Sequence, residues 1–337
     1  MDETKVVRDI RFDVLKGIAT LLVVFGHVLQ FSILGHENSL IFNIIWSIQI
    51  PLFMIVSGYF SLSIKTSIKK LFIQLFRYLW PCVTYFIIVI IVFHYQNPLQ
   101  SAFDLLWHLE GTLWYLVVLA FLSVYNFIAT SITKKTTDFV FCGVLYSVVF
   151  FGLTILFAIP GLKFGLTFLG IKYVLYYSVF YWLGHMWHYC DKINFSGLDK
   201  ATEIVFSVFA LVYFYIINNV NLYKTDDTVL GILPRVLASI CGVYIICYCI
   251  MKIKNFGKIS HFLSGVGINS LEIYYIHCIL VRFFSLQQIE MLSLKGILTL
   301  VINSVFVLFA TYIVIFIIKK SGFFYSILFG SKLKRTN

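Results

Sequence analysis

Residues 13–30 read D-V-L-K-G-I-A-T-L-L-V-V-F-G-H-V-L-Q. The stretch is apolar enough to enter a bilayer, yet it carries Lys16 near one end and His27 in its middle. These two lie eleven residues apart, which is three helical turns plus about 20°, so they share a face with roughly 16 Å between them along the axis. Asp13, Thr20 and Gln30 fall on the same side, within an arc of about 100°. An ionisable group at bilayer depth is costly unless it faces protein or a wet cavity. The segment therefore reads as a membrane helix whose polar stripe is turned toward other helices.

The rest of the chain supports a membrane class. It is 60% hydrophobic and only 12% charged, outside the range of ordinary globular domains. A span needs about 20 mostly apolar residues, and ten segments qualify: 14–34, 41–62, 71–93, 112–130, 138–159, 171–190, 201–217, 229–250, 264–287 and 293–318. The expectation is an all-α bundle of about ten transmembrane helices forming one membrane domain over residues 1–337, with no fused soluble domain.

Charge placement orients that bundle. With the N-terminus inside, cytosolic segments collect Lys5, Arg8, Arg11, Lys16, Lys65, Lys69, Lys70, Arg77, Lys134 and Lys135. Further along they collect Lys192, Lys200, Lys252, Lys254, Lys258, Lys319, Lys320, Lys332, Lys334 and Arg335. Outer segments keep Lys163, Lys172, Lys224, Arg235, Arg282 and Lys295. This positive-inside bias places both termini in the cytosol, in a multi-pass protein of the cytoplasmic (inner) membrane. Orientation and anionic lipid account for the net charge of +11, so no nucleic-acid partner is required. A cleaved signal peptide is disfavoured, because Lys16 and His27 would interrupt its apolar core. The seven cysteines show no C-x-x-C spacing and read as small buried side chains rather than a disulfide or metal framework.

Several further positions carry chemistry. The second span contains I-P-L-F-M-I-V-S-G-Y-F, where Ser57 and Gly58 permit close approach of a helix or a ligand. Arg77 lies about two turns inside an apolar pattern, where it needs an anion; Lys70 lies nearby in sequence. The outer segment 94–116 mixes His94, Asp104, His108 and Glu110 with Trp107, Trp114 and Tyr115, as an interfacial belt or a saccharide site would. His185 and His188 have metal-compatible spacing without an evident third ligand, so no metal is expected. The segment G-I-N-S-L-E-I-Y-Y-I-H puts Asn269, Glu272 and His277 into a span. Trp114, Asn269 and His277 are candidate substrate contacts.

These motifs, in this order, resemble the membrane acyltransferase-3 family over essentially the whole chain. The Lys-Gly form of the first motif is similar to the branch that includes fucose 4-O-acetylase-like proteins. The resemblance implies transfer of an acyl group, usually acetyl from acetyl-CoA, to a hydroxyl of a surface or exported glycan or lipid-linked saccharide. The family's first-motif base and histidine match Lys16 and His27. Its cytosolic basic pair matches only at Arg77, since Gln74 occupies the other position. The implied donor contacts are Lys16, Lys70, Arg77, Ser57 and Gly58.

The residues agree with that chemistry. A sugar hydroxyl is a weak nucleophile, and a neutral histidine is the commonest base to activate it. No serine or cysteine shares the arc of His27, so direct attack of the acceptor on the thioester is the simpler route. Asp13 is too far along the helix to orient His27; the orienting group must come from another helix, with Glu110 the candidate. A glycan or lipid transporter is the alternative class, since intramembrane ionisable residues also mark permeation paths. In a cysteine-free background, Thr66→Cys is expected to react with an impermeant thiol reagent only from inside and Thr225→Cys only from outside. The reverse pattern at either position overturns the topology.

Overall fold

The computed structural model describes residues 9–63, 67–93, 97–100, 107, 109, 113–134, 136–191, 199–224, 229–253, 255–286, 289 and 293–330. The helices run in order as α1 Ile10–Ser32, α2 Leu40–Tyr59, α3 Ile68–Phe93, α4 Trp114–Thr133, α5 Phe139–Phe164 and α6 Ile171–Asp191. They continue as α7 Asp199–Asn219, α8 Val229–Lys252, α9 Lys258–Ile268, α10 Ser270–Leu280, α11 Leu294–Lys320 and α12 Gly322–Phe329. Eight of them, α1–α5, α7, α8 and α11, are long and apolar enough to cross a membrane. The protein is an all-α, multi-pass membrane protein.

Two of the ten expected spans differ from the other eight. Segment 171–190 forms α6, a 21-residue helix, but its sequence includes Lys172, five tyrosines, His185, His188 and Asp191. Its polarity is turned inward, with Ser178, Tyr181 and His185 buried. Segment 264–287 is not one helix. The helical path starts earlier, at Lys258, and breaks at Asn269 (φ −98°, ψ 17°) into α9 and α10 of 11 residues each. In an uninterrupted helix the Asn269 N–H would bond to the Gly265 carbonyl. Here the Asn269 side-chain amide donates to that carbonyl at 2.8 Å, while its backbone N–H turns to Val266. Local competition of this kind is why asparagine interrupts helices.

Contacts divide the chain into two compact units, Met1–Val56 with Ser196–Ile313, and Ser57–Phe195 with Val314–Asn337. The first unit is organised by α1. Asp9 caps its start, accepting from Arg11 N at 2.9 Å and from the Arg11 side chain at 2.7 Å. The guanidinium holds the Asp9 carboxyl below the usual carboxylate range. Further up, α1 meets α9 backbone to backbone. A Cβ on Gly17 would fall 2.0 Å from the Leu263 carbonyl oxygen, and one on Gly267 would fall 1.9 Å from that of Asp13. Ten residues beyond each glycine, His27 meets His277, so α1 and the α9–α10 path run in the same direction and in step. Asn43 ties α2 to the end of α7, donating to the carbonyls of Ile217 and Val220 (3.2 and 2.9 Å) and accepting from Leu222 N–H at 3.1 Å. These contacts satisfy carbonyls that the helix end leaves free.

In the second unit a buried polar network lies among apolar side chains such as Val118, Leu122, Phe150 and Phe180. His185 stacks on Tyr146 with 3.9 Å between ring centroids and bonds Ser61 at 2.8 Å. Tyr146 donates to Asn126 at 2.9 Å. α12 is fastened to α3 by Trp80 Nε1 and Thr84 Oγ1, which donate to the carbonyls of Ile327 and Leu328.

Gly17→Ala places a methyl group where backbone stands, and overpacking of this kind costs about 1–3 kcal/mol. A Cβ added at Gly152 would meet no packing neighbour within 4 Å, so Gly152→Ala is the control. Thermal unfolding in detergent is expected to fall for Gly17→Ala and to stay level or rise for Gly152→Ala; equal midpoints would overturn the contact's importance.

Candidate active site

His27 sits on α1, half-buried, and His277 sits on α10, fully buried. His27 Nδ1 and His277 Nε2 are 2.9 Å apart, with the rings inclined by 16°. His277 Nδ1 lies 2.7 Å from the Ile273 carbonyl oxygen. A carbonyl only accepts, so His277 carries its proton on Nδ1 and presents a bare Nε2. That nitrogen accepts from His27 Nδ1–H, which leaves the lone pair of His27 on Nε2. With both rings neutral, the hydrogen-bond network assigns the tautomers in this way.

The polar stripe of α1 has the expected geometry. Lys16 is half-buried, and the unbroken helix from Ile10 to Ser32 keeps it roughly 16 Å from His27 along the axis. Thr20 Oγ1 donates to the Lys16 carbonyl at 2.7 Å, so its hydroxyl is engaged within the helix. Gly26 presses against α2, where a Cβ would fall 2.8 Å from the buried Gln49 Oε1.

Other candidates have different surroundings. Glu110 lies outside the described residues; among the described ones, His27 Nδ1 meets His277 Nε2 at 2.9 Å and Cys278 Sγ at 3.7 Å. Asn269 forms the α9–α10 break described above. Ser57, Gly58, Lys70, Arg77 and Trp114 belong to the second unit. Ser57 Oγ bonds the Tyr115 hydroxyl at 3.2 Å. Gly58 lies where α2 meets α6: a Cβ there would fall 1.9 Å from the Tyr181 carbonyl oxygen, so helix packing alone requires glycine. Lys70 and Arg77 are exposed on α3. Trp114 stacks on Tyr173 and Tyr177, with centroids 4.4 and 5.4 Å away. His188 Nδ1 donates to the Tyr59 carbonyl at 2.5 Å while His185 is held by Ser61, so this pair is engaged in separate contacts.

Two features escaped the sequence reading. One is the role of His277 as the partner of His27. The other is Cys278, whose Sγ is 3.7 Å from both His27 Nδ1 and His277 Nε2. Both segments place a histidine ten residues after a glycine, Gly17…His27 and Gly267…His277, but that spacing acquires meaning only once the two glycines are known to meet, and nothing in it points to Cys278.

Residues 9–320 match the acyltransferase domain of the membrane acyltransferase-3 family, and the chain belongs to that family. It is similar to the nodulation protein NolL of Sinorhizobium fredii, 31% identical over 145 residues, covering 38% of this chain and 39% of that protein. It is also similar to the nodulation protein NolL of Mesorhizobium japonicum, 29% identical over 123 residues, covering 32% of each. The chain thus spans well under half the length of these curated relatives. No solved structure matches it.

Proposed function

We propose that this acyltransferase moves an acyl group, acetyl in the first instance, from acyl-CoA at the cytosolic side to a hydroxyl of a surface or exported glycan. Family membership supports the acyl chemistry, and the resemblance of the Lys16–Gly17 motif supports the saccharide acceptor. The observation that carries the mechanism is the relay from the Ile273 carbonyl through His277 to His27, because it leaves His27 Nε2 free as a base.

The acceptor hydroxyl gives its proton to His27 Nε2 as its oxygen attacks the thioester carbonyl. The tetrahedral intermediate collapses with cleavage of the carbon–sulfur bond, and the CoA thiolate leaves and takes up the proton from His27. Throughout, His27 Nδ1–H continues to donate to His277, so the positive charge that appears on His27 meets a fixed acceptor. His277 is a positioning residue and His27 the base. In the first unit Lys16, one long pantetheine-like reach below His27, supplies positive charge for donor phosphates; Lys70 and Arg77 on α3 are donor contacts by the family resemblance alone. Ser57 is a donor contact, and Trp114 and Asn269 are acceptor contacts, by the sequence reading alone.

His27→Ala and His27→Gln are expected to keep CoA binding while transfer falls by about 10²- to 10⁴-fold, the span for loss of a general base. In the parent, transfer falls as pH drops and His27 takes up a proton. His277→Ala is expected to lower kcat with donor KM unchanged and to move that acidic limb, which a packing defect alone would leave in place. A stably inserted His27→Ala protein with near-parental transfer overturns the mechanism.

Lys16→Ala and Arg77→Ala each remove a charge-assisted contact worth about 1–3 kcal/mol. Donor KM measured with labelled acetyl-CoA is expected to rise in both; unchanged values in both would return these residues to orienting the chain in the membrane.

A further inference from the structure

We propose that His27, His277 and Cys278 form a binding site for Zn²⁺, separate in kind from the acyl-transfer chemistry although it shares His27. Their ligand atoms all lie within 4.8 Å of one another. The two nitrogens are 2.9 Å apart, and the sulfur is 3.7 Å from each. Zinc binds imidazole nitrogen at about 2.0–2.1 Å and thiolate at about 2.3 Å, tetrahedrally. Those lengths require nitrogens about 3.4 Å apart and a sulfur about 3.6 Å from each. The observed triangle meets this after the two nitrogens separate by about 0.5 Å.

The surroundings suit a metal ligand set. His277 donates Nδ1–H to the Ile273 carbonyl, the outer contact that commonly fixes a ligating imidazole with its other nitrogen bare. A mixed imidazole–thiolate set suits zinc, and three protein ligands leave a fourth position for water. Cys278 is buried, where an uncompensated thiolate is costly, and Arg282, four residues beyond it, carries a positive charge that opposes a second cation, so the affinity is expected below that of a closed four-ligand site.

Binding has a defined proton balance. The Cys278 thiol loses its proton to solvent, and His27 shifts its proton from Nδ1 to Nε2 as Nδ1 takes the metal. One proton is released per ion, so affinity rises with pH. The shift also removes the lone pair of His27 Nε2. If His27 is the base, which rests on the reading above, Zn²⁺ is an inhibitor of transfer.

The test uses the full chain in detergent, reduced, titrated with Co²⁺ as a coloured stand-in for Zn²⁺. One equivalent is expected to give tetrahedral visible bands and a thiolate-to-cobalt band in the near ultraviolet, both bleached by Zn²⁺. Cys278→Ser is expected to lose the thiolate band and bind at least roughly tenfold more weakly. Serine at Cys190 and Cys249, both exposed, is expected to change nothing. X-ray absorption at the zinc edge of the parent needs no variant and is expected to show one sulfur in the first shell. No thiolate band, a band that survives Cys278→Ser, or a sulfur-free shell overturns the site whatever the enzyme's activity. Zn²⁺ that binds here without slowing transfer leaves the site standing and overturns the role of His27 as base.

Discussion

Close approach of α1 to α9 at Gly17 and Gly267 sets the geometry of the first unit. Lipid provides no hydrophobic drive for one membrane helix to seek another, so association depends on packing and on interhelical hydrogen bonds. Each glycine lies against a carbonyl oxygen of the other helix, at a distance no Cβ would permit. Because the contact is backbone on backbone, it fixes axial register as well as separation. Ten residues on along each path, a rise of about 15 Å, the same register brings two imidazoles within hydrogen-bond distance.

The histidine pair is consistent with a low-dielectric setting because neither ring needs a charge. A buried ion without a partner is expensive, whereas a buried neutral group with a hydrogen bond is tolerated. The Ile273 carbonyl terminates the chain of donors, and the break at Asn269 lets α10 take its own course beside α1. That break exposes a carbonyl which membrane depth would leave unsatisfied; the Asn269 side chain supplies the missing donor. The second unit follows the same rule, with His185, Tyr146, Asn126 and Ser61 satisfying one another inside an otherwise apolar bundle.

Much of the helical framework was legible in the residues. Eight expected spans coincide with helices long and apolar enough to cross a membrane, since twenty apolar residues in lipid have little alternative to a helix. α6 is a helix in the expected place, but its tyrosines and histidines face protein, and average hydropathy does not separate an inward polar face from exposure. Segment 264–287 looked continuous because one asparagine among apolar residues barely changes that average, while its side-chain amide is enough to divert the helix.

The amino-acid order by itself determined that this is a helical membrane protein, that Lys16 and His27 share one face of its first span, and that the axial distance between them is set by helical rise. All of these are properties of a single helix, and a 3.6-residue period carries them. Only the tertiary structure decided that His277 meets His27 through Nδ1, leaving that ring's Nε2 out of the contact, and that Cys278 stands beside both rings. Those facts join residues some 250 positions apart in the chain. They depend on the distance and register at which two backbones meet, which no periodicity within either segment encodes.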